Sequence, residues 1–147
     1  MITADQILAH AIGDYIIQSD WMARNKTKND WAALIHAVTY SLPFLLIIPY
    51  QSFPVVWLAI VLSHFVIDRY RLARYLCWIK NGPRQRQSNH TTLISDWWTH
   101  GEWVPITATG YPSAMPPWMS FWLLIAADNI AHVCINGLAI RFLASLP

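Results

Sequence analysis

The chain has 147 residues, of which 55% are hydrophobic and only 12% are charged. An average soluble domain carries about 25% charged residues, so this composition favours a membrane protein over a soluble or disordered one. The net charge of +2 is too small to attract a nucleic acid through bulk charge, and no nucleic-acid partner is expected. Cys77 and Cys134 stand far apart, which predicts neither a disulfide framework nor a thiolate metal site.

Four apolar segments follow one another along the chain, each about as long as a membrane-spanning helix. About 20 residues cover a hydrocarbon layer of about 30 Å. The segments cover about residues 4–22, 31–50, 54–78 and 117–144. The sequence therefore predicts an all-α integral membrane bundle of four transmembrane helices, folded as a single domain over residues 1–147.

The connection between the third and fourth segments, residues 81–116, is rich in proline and tryptophan. It is too polar to span a membrane and too aromatic for a simple linker, so it predicts an ordered interfacial loop. The loop also contains four ionisable residues that lack helical spacing. We interpret them as solvated polar side chains. They are His90, Asp96, His100 and Glu102.

The basic residues predict the orientation of the helices. Nine of the ten Lys and Arg residues lie either in the connection after the first segment or between residue 69, near the end of the third segment, and the start of the fourth; only Arg141 lies elsewhere. Basic residues concentrate in cytoplasmic loops of membrane proteins. We therefore expect a multi-pass protein of the bacterial inner membrane with both termini away from the cytoplasm.

Three histidine–aspartate pairs lie inside the apolar segments, each with a spacing of four residues. They are His10 with Asp14, His64 with Asp68, and Asp128 with His132, and the second segment adds His36. This spacing puts both side chains of a pair on one helix face, about one turn apart. Ionisable residues are costly inside a membrane, and where they occur they usually serve a function.

Imidazole nitrogens and carboxylate oxygens are ligands of zinc, iron and manganese, so these residues predict a metal site. The candidate ligands are His10, Asp14, His36, His64, Asp68, Asp128 and His132. Seven ligands exceed one tetrahedral shell, which predicts one or two divalent ions, with zinc first and iron or manganese next. Asp14 and Asp68 would bind or bridge the ions, and Asp128 and Asp14 are the candidate catalytic carboxylates.

Two other interpretations of the same residues stay open. Any single pair is more typical of hydrogen bonding between helices, and Asn129 and Asn136 near the fourth-segment pair fit that role equally well. Alternatively, intramembrane carboxylates such as Asp14 and Asp68 can line a proton or ion pathway. The whole set, taken together, favours the metal site.

Two stretches carry a resemblance to known proteins. The run LAHAIGDYIIQSDWMA at residues 8–23 and the run HFVIDRY at residues 64–70 resemble a family of small bacterial and phage membrane proteins of unknown function. The resemblance covers most of the chain. The HxxxD pattern is also similar to that of membrane-bound metal-dependent hydrolases of the bacterial inner membrane, which implies a reaction class but no substrate.

These observations together predict a function. We expect a membrane-embedded metal-dependent hydrolase that acts on a lipid-like or membrane-associated substrate near the cytoplasmic leaflet. Its expected partners are membrane lipids and that substrate, and a homo-oligomer stays open. The alternatives are a non-catalytic phage or prophage membrane protein, used in host interaction or exclusion, and a proton or ion pathway.

Overall fold

The computed structural model describes residues 2–81, 84–85, 102–103 and 105–144. The chain forms two compact units, one made of Met1–Leu72 and Asn129–Pro147, the other of Ala73–Asp128. The described secondary-structure elements are helices and two short strands, β1 (Arg84–Gln85) and β2 (Glu102–Trp103), which pair antiparallel. The predicted all-α class is confirmed, and the single-domain organisation stays a prediction.

The first apolar segment forms two helices. Helix α1 (Ala4–Ala11) begins with a capping box in which Thr3 and Gln6 bind each other's backbone amides. It continues as a π-helix over Ile12–Ile17, and α2 (Asp20–Asn25) then begins separately. The break within the predicted 4–22 helix occurs because the Ser19 side chain accepts a hydrogen bond from the Met22 amide and starts a new helix.

The second apolar segment ends its α-helix early. Helix α3 (Asp30–Ser41) begins at Asn29, whose side chain accepts from the amides of Trp31 and Ala32. The chain then tightens into a 3₁₀-helix over Leu42–Leu46, within the predicted 31–50 helix. Pro43 has no amide hydrogen to donate, so the regular α-helical bonding cannot continue through it.

The third apolar segment is divided at Arg71. After a short 3₁₀-helix, Tyr50–Ser52, helix α4 runs over Phe53–Tyr70 and α5 over Leu72–Lys80. Arg71 adopts a left-handed backbone with φ of 53°, which ends α4. The predicted 54–78 helix is therefore two helices.

The fourth apolar segment agrees closely with its predicted bounds. Helix α6 covers Pro117–Leu138 and continues as a π-helix over Ala139–Leu143. In the described chain, two helical stretches are long and apolar enough to span a membrane, Tyr50–Tyr70 and Pro117–Leu143. The first two apolar segments, divided into shorter helices, do not reach that length, so the four-helix membrane bundle stays a prediction.

The buried face of helix α4 carries both apolar and ionisable residues, and its exposed face is apolar. Its buried face carries Val56, Ile60, His64 and Asp68, at intervals of four residues. The opposite face carries Val55, Leu58, Leu62 and Val66, whose exposed fractions are 41 to 55%. The helix thus places ionisable side chains in the interior of the first unit and branched aliphatic side chains on its surface.

The second unit is organised around the end of α5. Gly110 has φ of +75°, and a Cβ atom there would lie 2.0 Å from the carbonyl oxygen of Arg74. The Asn81 side chain donates a hydrogen bond to the Gly110 carbonyl at 3.3 Å, and Lys80 donates one to the Tyr111 hydroxyl at 2.9 Å. The predicted interfacial loop is described only in part, and its His90, Asp96 and His100 lie outside the described residues.

Candidate metal centre

Four of the predicted ligands meet in the interior of the first unit. Asp14 comes from the π-helix that follows α1, His36 from α3, and His64 and Asp68 from successive turns of α4. All four side chains are buried, and both imidazoles are fully inaccessible to solvent. The π-helix is notable because single widened turns of this kind occur often at functional positions. We call Asp14, His36, His64 and Asp68 the four-residue cluster.

The facing atoms of the four-residue cluster lie within 4.8 Å of one another. The Nε2 atoms of the two histidines are 2.9 Å apart. From Asp68 Oδ2 the distances are 3.0 Å to His36 Nε2 and 3.1 Å to His64 Nε2. From Asp14 Oδ1 the corresponding distances are 3.2 and 3.6 Å. Two nitrogens and two oxygens therefore converge on one small volume.

These separations match the edges of a tetrahedral metal shell. With metal–ligand bonds of about 2.0–2.2 Å, neighbouring ligand atoms in a tetrahedron lie about 3.3–3.6 Å apart. Five of the six separations, 2.9 to 3.6 Å, differ from these edges by a few tenths of an ångström, and the sixth, between the two carboxylate oxygens, is within 4.8 Å. The residue types and their geometry are both those of a two-nitrogen, two-oxygen metal site.

The carboxylate oxygens are close to nitrogens without being properly hydrogen bonded. Within the described residues, Asp14 Oδ1 and Asp68 Oδ2 are buried and accept no well-directed hydrogen bond, although the Lys26 ammonium lies 2.8 Å from Asp68 Oδ2. Buried acceptors are nearly always satisfied in native proteins. Short distances without hydrogen-bond direction are the arrangement expected around a shared central cation, because a metal ion needs lone pairs rather than N–H groups aimed at the oxygens.

Lys26 also contacts the four-residue cluster, which the sequence analysis did not predict. Its Nζ atom lies 2.8 Å from Asp68 Oδ2 and 3.2 Å from His36 Nε2. Arg69 contacts the connection between α2 and α3, which contains Lys26. It donates a hydrogen bond to the Thr27 carbonyl at 2.9 Å and forms an ion pair with Asp30. Lys26 was interpreted only as one of the basic residues of a cytoplasmic connection, and no helical spacing linked it to the aspartates.

The other oxygen of each carboxylate faces a further histidine. Asp14 Oδ2 lies 3.5 Å from His10 Nδ1, one turn earlier on the same helical stretch. Asp68 Oδ1 lies 3.7 Å from His132 Nε2. Each aspartate thus directs one oxygen toward the other members of the four-residue cluster and its second oxygen toward one more imidazole. Such an arrangement suits either carboxylate bridging or the orientation of a ligand by its neighbour.

Tyr40 organises the side chains beside the four-residue cluster. Its ring stacks on the His64 ring with centroids 3.5 Å apart and planes 15° apart. Its hydroxyl bonds to His10 Nδ1 at 2.9 Å and accepts from Asn136 Nδ2 at 2.6 Å. Asn129 completes this group with a bond from its Oδ1 to His10 Nε2 at 3.1 Å. We call Tyr40, His10, Asn129 and Asn136 the tyrosine network.

Gly13 allows the π-helix to approach α3 closely. A Cβ atom at this position would lie 2.6 Å from both the Tyr40 carbonyl oxygen and its ring. No larger residue fits without moving Tyr40 or the turn that carries Asp14. The sequence signals for Tyr40 were its position one turn after His36 and its place inside an apolar segment, but those signals describe many core tyrosines.

Six of the seven predicted ligands lie in the first unit, and four of them converge. Asp14, His36, His64 and Asp68 come together, and His132 lies beside them. His10 lies in the tyrosine network, where both of its ring nitrogens have hydrogen-bond partners. Asp128 is the last residue of the second unit, partly buried and one turn before His132 on α6, and its predicted role stays a prediction.

Comparison with known proteins adds a family but no activity. A family model described as "Protein of unknown function (DUF3307)" matches residues 2–123. The matched range contains the whole four-residue cluster and Lys26, and it ends before Asp128 and His132. No curated protein and no solved structure matches the chain.

Proposed function

The chain belongs to the DUF3307 family, whose function is unknown. We propose that it is a membrane-embedded metal-dependent hydrolase with a lipid-like substrate. The observation that carries the proposal is the convergence of two imidazole nitrogens and two carboxylate oxygens within 4.8 Å in a buried site. Two buried aspartates need a compensating charge, and a divalent cation supplies it.

Zinc is the first choice for the metal, with iron or manganese as alternatives. Imidazole and carboxylate ligands suit all three ions, and the near-tetrahedral separations favour zinc. Four protein ligands fill a tetrahedral shell, so catalysis would require a fifth position, to which zinc sites are able to expand. With water in that position, the ion would supply Lewis-acid chemistry and make the water nucleophilic at neutral pH. His36, His64, Asp14 and Asp68 would hold the first ion. Asp68 Oδ1 and His132, at 3.7 Å, support the proposal of a second.

Asp14 is the carboxylate best positioned to accept a proton. Its Oδ1 belongs to the four-residue cluster, while its Oδ2 faces His10 Nδ1 at 3.5 Å. A proton received at Oδ2 would be shared with His10, which Tyr40 and Asn129 hold in place. General-base catalysis needs this combination of reach to the reacting group and an oriented neighbour.

The surface of α4 supports a location in a membrane. Apolar side chains are exposed at intervals of three and four residues, opposite a buried face that contains His64 and Asp68, which differs from the polar exposed face of a soluble helix. Only 28% of an apolar 18-residue window within Tyr50–Tyr70 is buried, whereas the core helix of a soluble protein would be mostly buried. The concentration of basic residues in two connections supports the bacterial inner membrane, with both termini away from the cytoplasm.

A groove on the first unit supports the lipid-like character of the substrate. Its volume is about 680 Å³. Apolar side chains line most of it, and Lys28, Asn29 and Asp30 lie at its polar part; the apolar residues are Trp31, Leu34, Leu62 and Phe65. An acyl chain fits the apolar part, and a polar headgroup fits the part near Lys28.

Metal content and hydrolysis together test the proposal. Detergent-purified protein would be analysed by elemental mass spectrometry beside Asp14→Asn, His64→Ala and the control Asp20→Asn, with circular dichroism to verify folding. Asp20 is a suitable control because its carboxylate is exposed and pairs only with Arg24 among the described residues. We expect about one or two metal equivalents in the wild type and control, and loss in the other two variants.

Activity would then be measured on lipid esters and phosphoesters with the metal-loaded protein. Hydrolysis that disappears in Asp14→Asn but persists in Asp20→Asn supports the assignment. A folded wild type that binds no transition metal would contradict it and favour a non-catalytic membrane interaction protein.

A second candidate, a proton pathway, has one observation in its favour. Contacts connect Lys26, Asp68, His36, Asp14 and His10 in an unbroken series of polar atoms 2.8 to 3.5 Å apart. Proton relays in membranes are built from such series of carboxylates and histidines. Proton flux in liposomes that requires Asp14 and Asp68 and needs no metal would favour this candidate.

A further inference from the structure

Lys26 and a metal ion would use the same atoms of the four-residue cluster. The ammonium group lies 2.8 Å from Asp68 Oδ2 and 3.2 Å from His36 Nε2. An ion bound to Asp68 Oδ2 at about 2.0–2.2 Å would therefore lie no more than about 5 Å from the ammonium. Two cations at this distance in a buried site repel each other strongly, because little water screens them.

Lys26 is able to move away from the cluster. Its side chain keeps 18% of its surface accessible to solvent, whereas the Asp68 side chain keeps only 4%. Lys26 is the C-cap of the six-residue helix α2. It is the first of the four residues, 26–29, that connect α2 to α3. A four-carbon stem with free rotation lets the ammonium reach either the buried oxygens or the polar surface beside them.

We infer that Lys26 is a competing internal cation that metal binding displaces, and that the displaced ammonium forms, with the metal, a site for a phosphate-bearing anion. The inference rests on the proposed metal site. Lys26 balances one buried carboxylate when no metal is bound. A divalent metal balances both carboxylates, and the additional positive charge of Lys26 then needs an anion.

Phosphate oxygens suit this pair of cations. Lysine binds phosphate as a point charge, and divalent metals bind phosphate oxygens readily. Either a phospholipid headgroup or a free phosphate compound would present the same group. An anion held by both cations would remove the repulsion between them, so it would raise the affinity for the metal.

Cobalt(II) titration tests the inference with a readout other than activity. Its visible absorption reports nitrogen and oxygen coordination, and the apparent Kd would be measured with and without inorganic phosphate. The variants are Lys26→Met and Lys26→Gln, the second in case the first folds poorly. Arg24→Met is the matched control, because Arg24 is an exposed basic residue two positions earlier, pairs with Asp20, and has no described contact with the four-residue cluster or the groove.

In the wild type and in Arg24→Met, phosphate should tighten cobalt binding by about fivefold or more, the usual size of coupling between two ligands. In the Lys26 variants, cobalt alone should bind more tightly than to the wild type by a similar factor, and the phosphate effect should disappear. Replacing inorganic phosphate with a short-chain phosphatidic acid distinguishes the sources. A larger effect of the lipid indicates a headgroup, and an equal effect indicates free phosphate.

The two ways to fail are distinguishable. If cobalt binds all the proteins with the same affinity and phosphate has no effect, the role of Lys26 is wrong and the metal site stands. If cobalt binds none of them while circular dichroism shows folded protein, the metal site itself is wrong, and the role of Lys26 fails with it.

Discussion

Two neighbouring polar regions of the first unit use the same residue types in different ways. In the tyrosine network, His10 has hydrogen-bond partners on both ring nitrogens at 2.9 and 3.1 Å. In the four-residue cluster, the nitrogens and oxygens are equally close, but the facing carboxylate oxygens accept no well-directed hydrogen bond within the described residues. Both regions are buried, so burial alone does not separate a structural histidine from a metal ligand. The two regions differ in which ring nitrogens have hydrogen-bond partners: both nitrogens of His10 do, whereas the Nδ1 atoms of His36 and His64 do not within the described residues.

The largest expected effect on metal affinity comes from a substitution in the four-residue cluster. Replacing Asp68 with asparagine removes the charge of the carboxylate that faces His36, His64 and Lys26. We expect metal affinity to fall by more than about 100-fold, because changes to residues that merely support ligands already cost 10- to 100-fold. Competition with a metal-binding dye measures the effect, and Asp20→Asn is the control. Unchanged affinity in Asp68→Asn would remove the four-residue cluster as the metal site.

An intermediate effect is expected where the two regions meet. The Gly13→Ala change inserts a Cβ atom 2.6 Å from the Tyr40 carbonyl oxygen, so the π-helix and α3 must separate. We expect a loss of about 1–3 kcal/mol in the free energy of unfolding, together with weaker metal binding, because Tyr40 packs on His64. Thermal unfolding in detergent measures the first effect.

Gly137→Ala is the matched control for Gly13→Ala. A Cβ atom there would meet only the Gln6 and Ile2 side chains, at 3.3 Å, and these are able to shift. Equal unfolding temperatures for the two alanine variants would show that the close contact between Gly13 and Tyr40 has no energetic weight.

The smallest effect on metal binding is expected on the tyrosine-network side. Replacing His10 with glutamine leaves all four cluster residues in place but disturbs the bonds to Tyr40 and Asn129. We expect metal stoichiometry to be retained, affinity to fall by less than about tenfold, and stability to drop by about 1–3 kcal/mol. Elemental analysis and thermal unfolding measure these quantities. Complete loss of metal would instead place His10 among the ligands.

The sequence by itself determined the helical class and most of the chemistry of the site. Apolar segments of membrane-spanning length predict helices, and a spacing of four residues places His64 and Asp68 on one face whatever the tertiary structure. The bounds of the fourth segment, 117–144, agree closely with α6 and its π-helical extension, Pro117–Leu143, because no proline follows Pro117 within it.

Only the tertiary structure decided which of the predicted ligands belong together. His10 and Asp14 look equivalent to His64 and Asp68 in sequence, yet Tyr40 and Asn129 bind His10, and a π-helix turns Asp14 toward α4. Lys26 joins the site from a connection that carries no periodic signal. Helical periodicity describes neighbours within one helix, whereas the partners of a buried polar atom depend on how separate helices pack.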